Sequence, residues 1–310
     1  MNIIPLDSKH EFGYRPAITV GMFDGVHIGH QKLLQRLKTR AEELGTKPII
    51  ITFNKHPRLV LEEEWGESAI KLLQTTEERF EKLFSLGFEH IVSIDFTPEF
   101  AKKSAKDFLE LLIDKYSIQY LLLGYDNSFG KRTNNEFEEM LDIAKASDLI
   151  IERSDICEHY GDIRVSSTQV RKALERGNIA DAKAMLGGSY IFNGRVVEGN
   201  KIGRTLGFPT ANFHIDKHKL LPRFGVYAVR VDIDGVMHKG VLNIGIRPTI
   251  HNSPVVLETH ILGFDSDIYN KTIRIHFEEF IRPEIRFDSL EELKKEIGLD
   301  IERAKEILSI

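Results

Sequence analysis

Ala17-Ile18-Thr19-Val20 runs directly into Gly21-Met22-Phe23-Asp24-Gly25-Val26-His27-Ile28-Gly29-His30, and Leu33, Leu34 and Leu37 follow at helical spacing. An apolar strand, a glycine-rich turn and an amphipathic helix in that order form the unit from which parallel α/β sheets are built. Glycines at 21, 25 and 29 let the backbone approach a bulky anion. A helix starting here aims unpaired N–H groups and a partial positive end at the same place. The turn reads as a phosphate site. His27 and His30 are three apart, so a helix that begins near Val26 puts both imidazoles on one face, where they can donate hydrogen bonds to one phosphate. A lone histidine is more often structural; a pair at this spacing inside such a turn points to chemistry.

Working outward, short apolar runs at Ala17 to Val20, Ile49 to Phe53, His90 to Ile94, Tyr120 to Leu123 and Leu149 to Ile151 alternate with helical segments up to residue 186. The pattern predicts a Rossmann-like parallel-sheet domain over residues 1–186. Thr75 with Glu78 and Ser289 with Glu292 have capping-box spacing, and Thr97-Pro98 places proline where a first helical residue tolerates it. Gly187-Gly188 then opens a segment with about half of the 23 glycines and little helical period. Strands are expected at Tyr227 to Ile233, Val236 to Ile244, Val255 to Leu262 and Lys271 to Phe280, with Asp234-Gly235 as a tight hairpin turn. Leu290, Leu293, Ile297, Ile301, Ala304 and Leu308 form a helical stripe. Residues 187–310 therefore read as a small antiparallel β-barrel with a C-terminal helix, and Glu62-Glu63-Glu64 as a solvated face.

The 310 residues carry 42 Lys and Arg against 47 Asp and Glu, a formal charge of -5. That balance argues against a nucleic-acid binder, which needs a concentrated basic face. One cysteine, Cys157, makes neither an internal disulfide nor a multi-thiolate zinc site and fits a reducing compartment. No segment approaches the ~20 apolar residues of a membrane span, and the first thirty residues lack a signal-peptide core. The chain reads as cytoplasmic, with small-molecule partners and no membrane or nucleic acid.

The stretch from Gly21 to His30 resembles the Gly-x-Phe-Asp-Gly-x-His-x-Gly-His signature of the bacterial flavin adenylyltransferases, within the nucleotidylyl transferases. Ser166-Ser167-Thr168-Gln169-Val170-Arg171 resembles the family's Ser-Ser-Thr-x-x-Arg element, which closes over the ATP triphosphate; alone it would read as an N-cap. The resemblance implies ATP contacts at Gly21, Phe23, Asp24, Gly29, Ser166, Ser167, Thr168 and Arg171, and charge stabilisation by His27 and His30. Thr52 to Pro57 falls where the family has a flavin-contacting loop, with Lys55 in place of a proline. Gly124-Tyr125-Asp126-Asn127-Ser128-Phe129-Gly130 matches a second family element without its commoner phenylalanine at Asn127. The implied flavin contacts are Asn54, His56, Asp126 and Phe129. A P-loop is rejected at Gly124 to Lys131, because five residues separate the glycines and Arg132 stands where Ser or Thr should bind Mg²⁺.

Gly194 to Asn212, ending Gly207-Phe208-Pro209-Thr210-Ala211-Asn212, resembles the riboflavin kinase signature. Glycines 199, 203 and 207 can form a flexible lid with amides facing phosphate, and the Thr210 hydroxyl and Asn212 amide oxygen are hard ligands suited to Mg²⁺. The resemblance adds Lys201 to the ATP contacts and extends through Gly225 to Ala228, Asn243 to Thr249, Glu258 to His260 and Arg282 to Glu284. A glutamate such as Glu258 on a largely apolar strand is either a satisfied barrel-mouth residue or a base, and the family pattern places its base there. Arg282, Glu284 and Phe287 are implied flavin contacts. Asn270 stands at a turn where the family commonly has glycine, which asparagine tolerates.

Two reactions would differ in chemistry. The riboflavin hydroxyl is a poor nucleophile and needs the base Glu258 beside a metal-bound γ-phosphate. The phosphate of FMN, with a second pKa of ~6, needs none, so His27 and His30 act as donors. The expected activity is phosphorylation of riboflavin to FMN and adenylyl transfer from ATP to give FAD and pyrophosphate, with Mg²⁺. Alternatives are nucleotidyl transfer to another phosphorylated acceptor and a non-catalytic flavin sensor.

Overall fold

The structure, a computed structural model, describes every residue except 1, 61–69, 126–135, 200–201, 247–254 and 310. Asp126, Phe129, Lys201, the Glu62 to Glu64 run and Arg247-Pro248-Thr249 lie outside the described residues. The chain divides into two compact units, Met1–Val165 and Ser166–Ile310.

In the first unit six parallel strands, β1 (Asn2–Pro5), β2 (Ala17–Val20), β3 (Pro48–Phe53), β4 (His90–Ile94), β5 (Tyr120–Leu123) and β6 (Ile150–Arg153), lie in the order β1-β4-β3-β2-β5-β6. β2 and β5 are buried throughout, so β5 reads as an unbroken apolar run and the one polar residue of β2, Thr19, donates its hydroxyl to Leu122 O at 2.8 Å. Successive residues serve opposite faces. Ile18, Val20, Ile49 and Ile51 pack with Leu109 and Leu112, whereas Ala17 and Ile50 pack with Leu33, Leu34 and Leu37 of α1 (Ile28–Glu43). β1 is an addition to the sequence reading; only Ile4 of its four residues is buried, so it carries no periodic signal. The chain steps outward from β2 to β4 and then returns to β5 on the other side of β2. The resulting switch point sits at the carboxyl ends of β2 and β5, where α/β sheets bind ligands. Gly21 to His30 follows β2 at this point.

The Thr75 box forms in full, with Glu78 N donating to Thr75 Oγ1 at 3.2 Å and Thr75 N to Glu78 Oε2 at 3.0 Å. Thr97-Pro98 does not open the expected α-helix. Thr97 Oγ1 accepts from Phe100 N, but only a 3₁₀ turn over Phe100–Lys102 forms before Lys103 turns extended, and the helix Ala105–Tyr116 starts at a Ser104 and Asp107 capping box. A short hairpin, β7 (His159–Tyr160) and β8 (Ile163–Arg164), closes the unit.

The second unit opens with the helices Ser167–Glu175 and Ile179–Leu186, the latter packed on β9 (Tyr190–Val197) and β14 (Thr272–Arg282). The composition break lies at Leu186, but the compact units divide at Val165, because these helices place Leu174 O on Arg223 N and pack with the barrel. With β10 (Ala211–Phe213), β11 (Gly225–Ile233), β12 (Val236–Ile246) and β13 (Val255–Ile261), β9 and β14 close an antiparallel barrel in the order β10-β13-β12-β11-β14-β9. Asp234 and Gly235 take φ of +52° and +85°, as a primed hairpin turn requires, and Asn270 takes +64° in its turn. The helix Leu290–Ile307 uses only part of its apolar stripe: Ile301, Ala304 and Leu308 pack on Val226, Ala228 and Val241, whereas Leu290 is 60% exposed.

Candidate active sites

Helix α1 begins at Ile28 rather than Val26, with His27 itself as the N-cap. Its Nδ1 accepts from His30 N at 3.3 Å, which leaves the proton of the neutral ring on Nε2. The two imidazoles stack with centroids 3.6 Å apart and planes 18° from parallel. Burial lowers His27 to about 4, and burial together with the charge of His27 holds His30 well below its usual value. Both rings are therefore neutral donors at pH 7. His30 Nδ1 is buried with no partner among the described residues, and the ring meets that of Phe23 at 5.3 Å, edge to face.

The glycines here make room for rings. A Cβ at Gly21 would lie 2.9 Å from Cζ of Phe23, and one at Gly29 3.3 Å from the His27 ring. Phe23 and the β-branched Val26 sit in the left-handed region at φ +52° and +40°, a strained turn of the kind that collects at functional sites. Asp24 is buried and its Oδ1 accepts from Leu73 N (3.0 Å) and Gln74 N (3.3 Å), so it anchors the turn. Asn54 donates to Asp95 Oδ1 at 2.7 Å, and His56 Nδ1 accepts from Arg58 N. In the second unit, Ser166 caps its helix by accepting from Gln169 N at 3.3 Å, with Ser167, Thr168 and Arg171 in the first two turns.

The barrel builds the other constellation. β10 is only three residues long, yet its register pairs Asn212 with Glu258, which in turn pairs with Asn243 of β12. Register partners share a face, so these three side chains form a row across three strands. Leu257, Thr259 and Ile261 fill the opposite, buried face. Asn212 Oδ1 is buried without a partner among the described residues, an arrangement that is costly until a donor or cation arrives. His260 Nδ1 meets Pro209 O at 2.8 Å and holds the Pro209-Thr210 segment to β13. A cavity of about 350 Å³ opens beside Thr210, lined also by Arg204, Thr259 and the Phe264 to Tyr269 loop. Thr259 Oγ1 is likewise buried and unpartnered among the described residues.

Cβ atoms at Gly199 and Gly203 would overlap the Asn212 carboxamide and the Phe208 carbonyl, and Ile202–Thr205 forms a short helix closed by Gly207 at φ +90°. Gly199 and Gly203 serve close packing, and Gly207 the left-handed turn. Arg282 donates to Asp300 from Nε (2.9 Å) and Nη2 (2.6 Å), and lies 5.9 Å from the Phe287 ring. Glu284 lies over Gly245, on the face that carries Asn243 and Glu258, and burial raises its pKa.

The family models for FAD synthetase and riboflavin kinase match residues 10–169 and 186–308. A "Bifunctional riboflavin kinase/FMN adenylyltransferase" of Listeria monocytogenes is 32% identical, covering 96% of this chain and 93% of its own, and one of Haemophilus influenzae is 36% identical, covering 93% of each. The chain belongs to the bifunctional riboflavin kinase/FMN adenylyltransferase family. A crystal structure from Streptococcus pneumoniae, described as a macrolide-efflux protein, superposes with a TM-score of 0.83 at 29% identity over 98% of both chains. Among the described residues, no helix is long and apolar enough to cross a membrane.

Against that family membership, the structure brings together His27 with His30, and Asn212 with Glu258. Sequence reasoning included Thr259 and His260 in the kinase resemblance but gave them no role, and passed over the Phe264 to Tyr269 loop. The His260 signal was present, since it shares the alternate-residue face of Glu258.

Proposed function

We propose that this chain makes FAD from riboflavin in two ATP-dependent steps at two chemically distinct centres. The observation that carries the reading is that a stacked, neutral histidine pair at a helix start and an amide–carboxylate row on a barrel occur in separate units. In the kinase step Glu258 takes the proton of the ribityl hydroxyl as that oxygen attacks the γ-phosphorus. The bond to the bridging oxygen breaks and ADP leaves. Asn212 Oδ1 and the Thr210 hydroxyl, with substrate phosphates, suit Mg²⁺, which takes few protein ligands and neutralises phosphate charge. The cavity beside Thr210 is the proposed ATP pocket, with Gly199, Lys201, Gly203 and Gly207 as further proposed ATP contacts from the family resemblance.

In the second step an FMN phosphate oxygen attacks the α-phosphorus of ATP and pyrophosphate departs. The phosphate is mostly dianionic at pH 7 and needs no base. His27 Nε2–H and the His30 ring then serve as preorganised donors to the charge that develops on the α-phosphate. Phe23 and Asp24 hold the turn in which they sit. Ser166, Ser167, Thr168 and Arg171 offer hydroxyl and guanidinium donors suited to phosphate oxygens. Asn54, His56, Asp126 and Phe129 are the proposed flavin contacts of this step, and Arg282, Glu284 and Phe287 those of the kinase. A cytoplasmic setting fits the single cysteine.

The test is a chromatographic time course of the purified chain with riboflavin, ATP and Mg²⁺. FMN should rise first and FAD follow; formation of neither defeats the proposal.

A further inference from the structure

Arg79, on the helix Thr76–Ser85, is 1% exposed, a rare place for a guanidinium. Its Nη2 donates to the carbonyl of Phe53, the last residue of β3, and its Nη1 faces Met22 Sδ at 3.7 Å. Nε has no partner among the described residues. Burial pulls its pKa down to about 10, while the Asp24 carboxylate pulls the other way. The hydrogen bond to the Phe53 carbonyl and the field of the Asp24 carboxylate offset part of the cost of burying this charge.

What the guanidinium adds is a connection between two segments. On one side stand Met22 and Asp24, which flank Phe23, the ring that meets His30 edge-on. On the other is Phe53, followed by Asn54, whose carbonyl accepts from Thr76 Oγ1 at 2.7 Å. Thr52 Oγ1 also reaches Met22 O, at 3.4 Å. We propose that Arg79 is a positioning residue for adenylyl transfer, which fixes the phosphate turn at residues 21–30 against the flavin-side loop that starts at Phe53. The inference rests on the assignment of that reaction to this turn. Alignment of two bound reactants to within about an ångström decides rates by about a hundredfold, so a defect in this brace falls on kcat.

The experiment compares the full chain with Arg79→Met and Arg79→Lys in both reactions. Met keeps the volume and loses the fork; Lys keeps a charge on a single donor nitrogen. Arg79→Met should lose about a hundredfold in kcat for FAD formation from FMN and ATP, with both KM values and the kinase rate within about threefold of wild type. Arg79→Lys should recover part of the loss. Adenylyl transfer at the wild-type kcat in either folded variant, or a loss carried in KM alone, overturns the inference. If Arg79→Met does not fold, Arg79→Lys decides by the same criterion. A wild-type chain that makes no FAD from FMN defeats the underlying assignment instead, before any variant is compared.

Discussion

The carboxamide of Asn212 occupies the space that a side chain at residue 199 would need: a Cβ built on Gly199 falls 2.5 Å from Asn212 Cγ. Gly199 therefore leaves the room in which the Asn212 carboxamide sits. Gly199→Ala should displace Asn212 and lower the kinase rate by at least tenfold, with FMN adenylylation unchanged. Parallel assays of the two reactions check this, and an unimpaired kinase would show that Asn212 is not held by Gly199.

Glu258→Gln keeps the shape of the side chain and removes its basicity. General-base catalysis contributes about 10²- to 10⁴-fold, so FMN formation should fall within that range while supplied FMN is still converted to FAD. Equal loss of both activities would contradict independent centres.

His30→Ala removes one donor and the partner of the His27 ring. Loss of a preorganised donor costs about 10²- to 10³-fold in rate, so FMN should accumulate without FAD in the riboflavin time course. FAD formation at the wild-type rate would exclude the histidine pair from the chemistry.

Acid should weaken the fold through the same pair. His27 titrates near 4 when folded, because burial disfavours its charged form, against 6.5 in its ordinary state. Below pH 6.5 the unfolded chain binds a proton that the folded chain refuses, so stability is complete above 6.5 and falls as pH drops towards 4. The His27 contribution to that fall is about 3 kcal/mol at pH 4. His30, lowered by burial and by His27, acts with the same sign. Urea unfolding of wild type and His27→Gln at pH 7.5 and 4.5 should show the larger acid loss in wild type; equal losses would refute the assignment.

Asp300 is 2% exposed and takes the Arg282 guanidinium in a two-bond pairing between the C-terminal helix and β14. Burial raises the Asp300 pKa even though Arg282 opposes the shift. Asp300→Ala leaves a half-satisfied guanidinium and should destabilise the second unit by about 3 kcal/mol, measured by denaturant unfolding. The double replacement Arg282→Met with Asp300→Leu should lose less. A single variant as stable as wild type would show the pair to be dispensable.

Much of the chain is legible without coordinates because its signals are local. Alternation of unbroken apolar strands with amphipathic helices, the Asp234-Gly235 turn and the Thr75 capping box all depend on residues within a few positions of one another. Both glycine-rich stretches proposed to meet phosphate are local in the same way. The reading erred where local chemistry had two outlets: Thr97-Pro98 opened a 3₁₀ turn, and Leu290 stayed exposed because the helix meets the barrel only in its last turns.

The amino-acid order alone determined most of the elements and the two classes of architecture, since these follow from backbone preference and side-chain period. Tertiary structure alone decided which residues meet: barrel closure sets Asn212 beside Glu258, and helix packing sets Arg79 against Met22 and Asp300 against Arg282. Such pairings join segments whose separation along the chain leaves no periodic trace, so they are fixed by how buried faces fit and by the need to partner each buried charge.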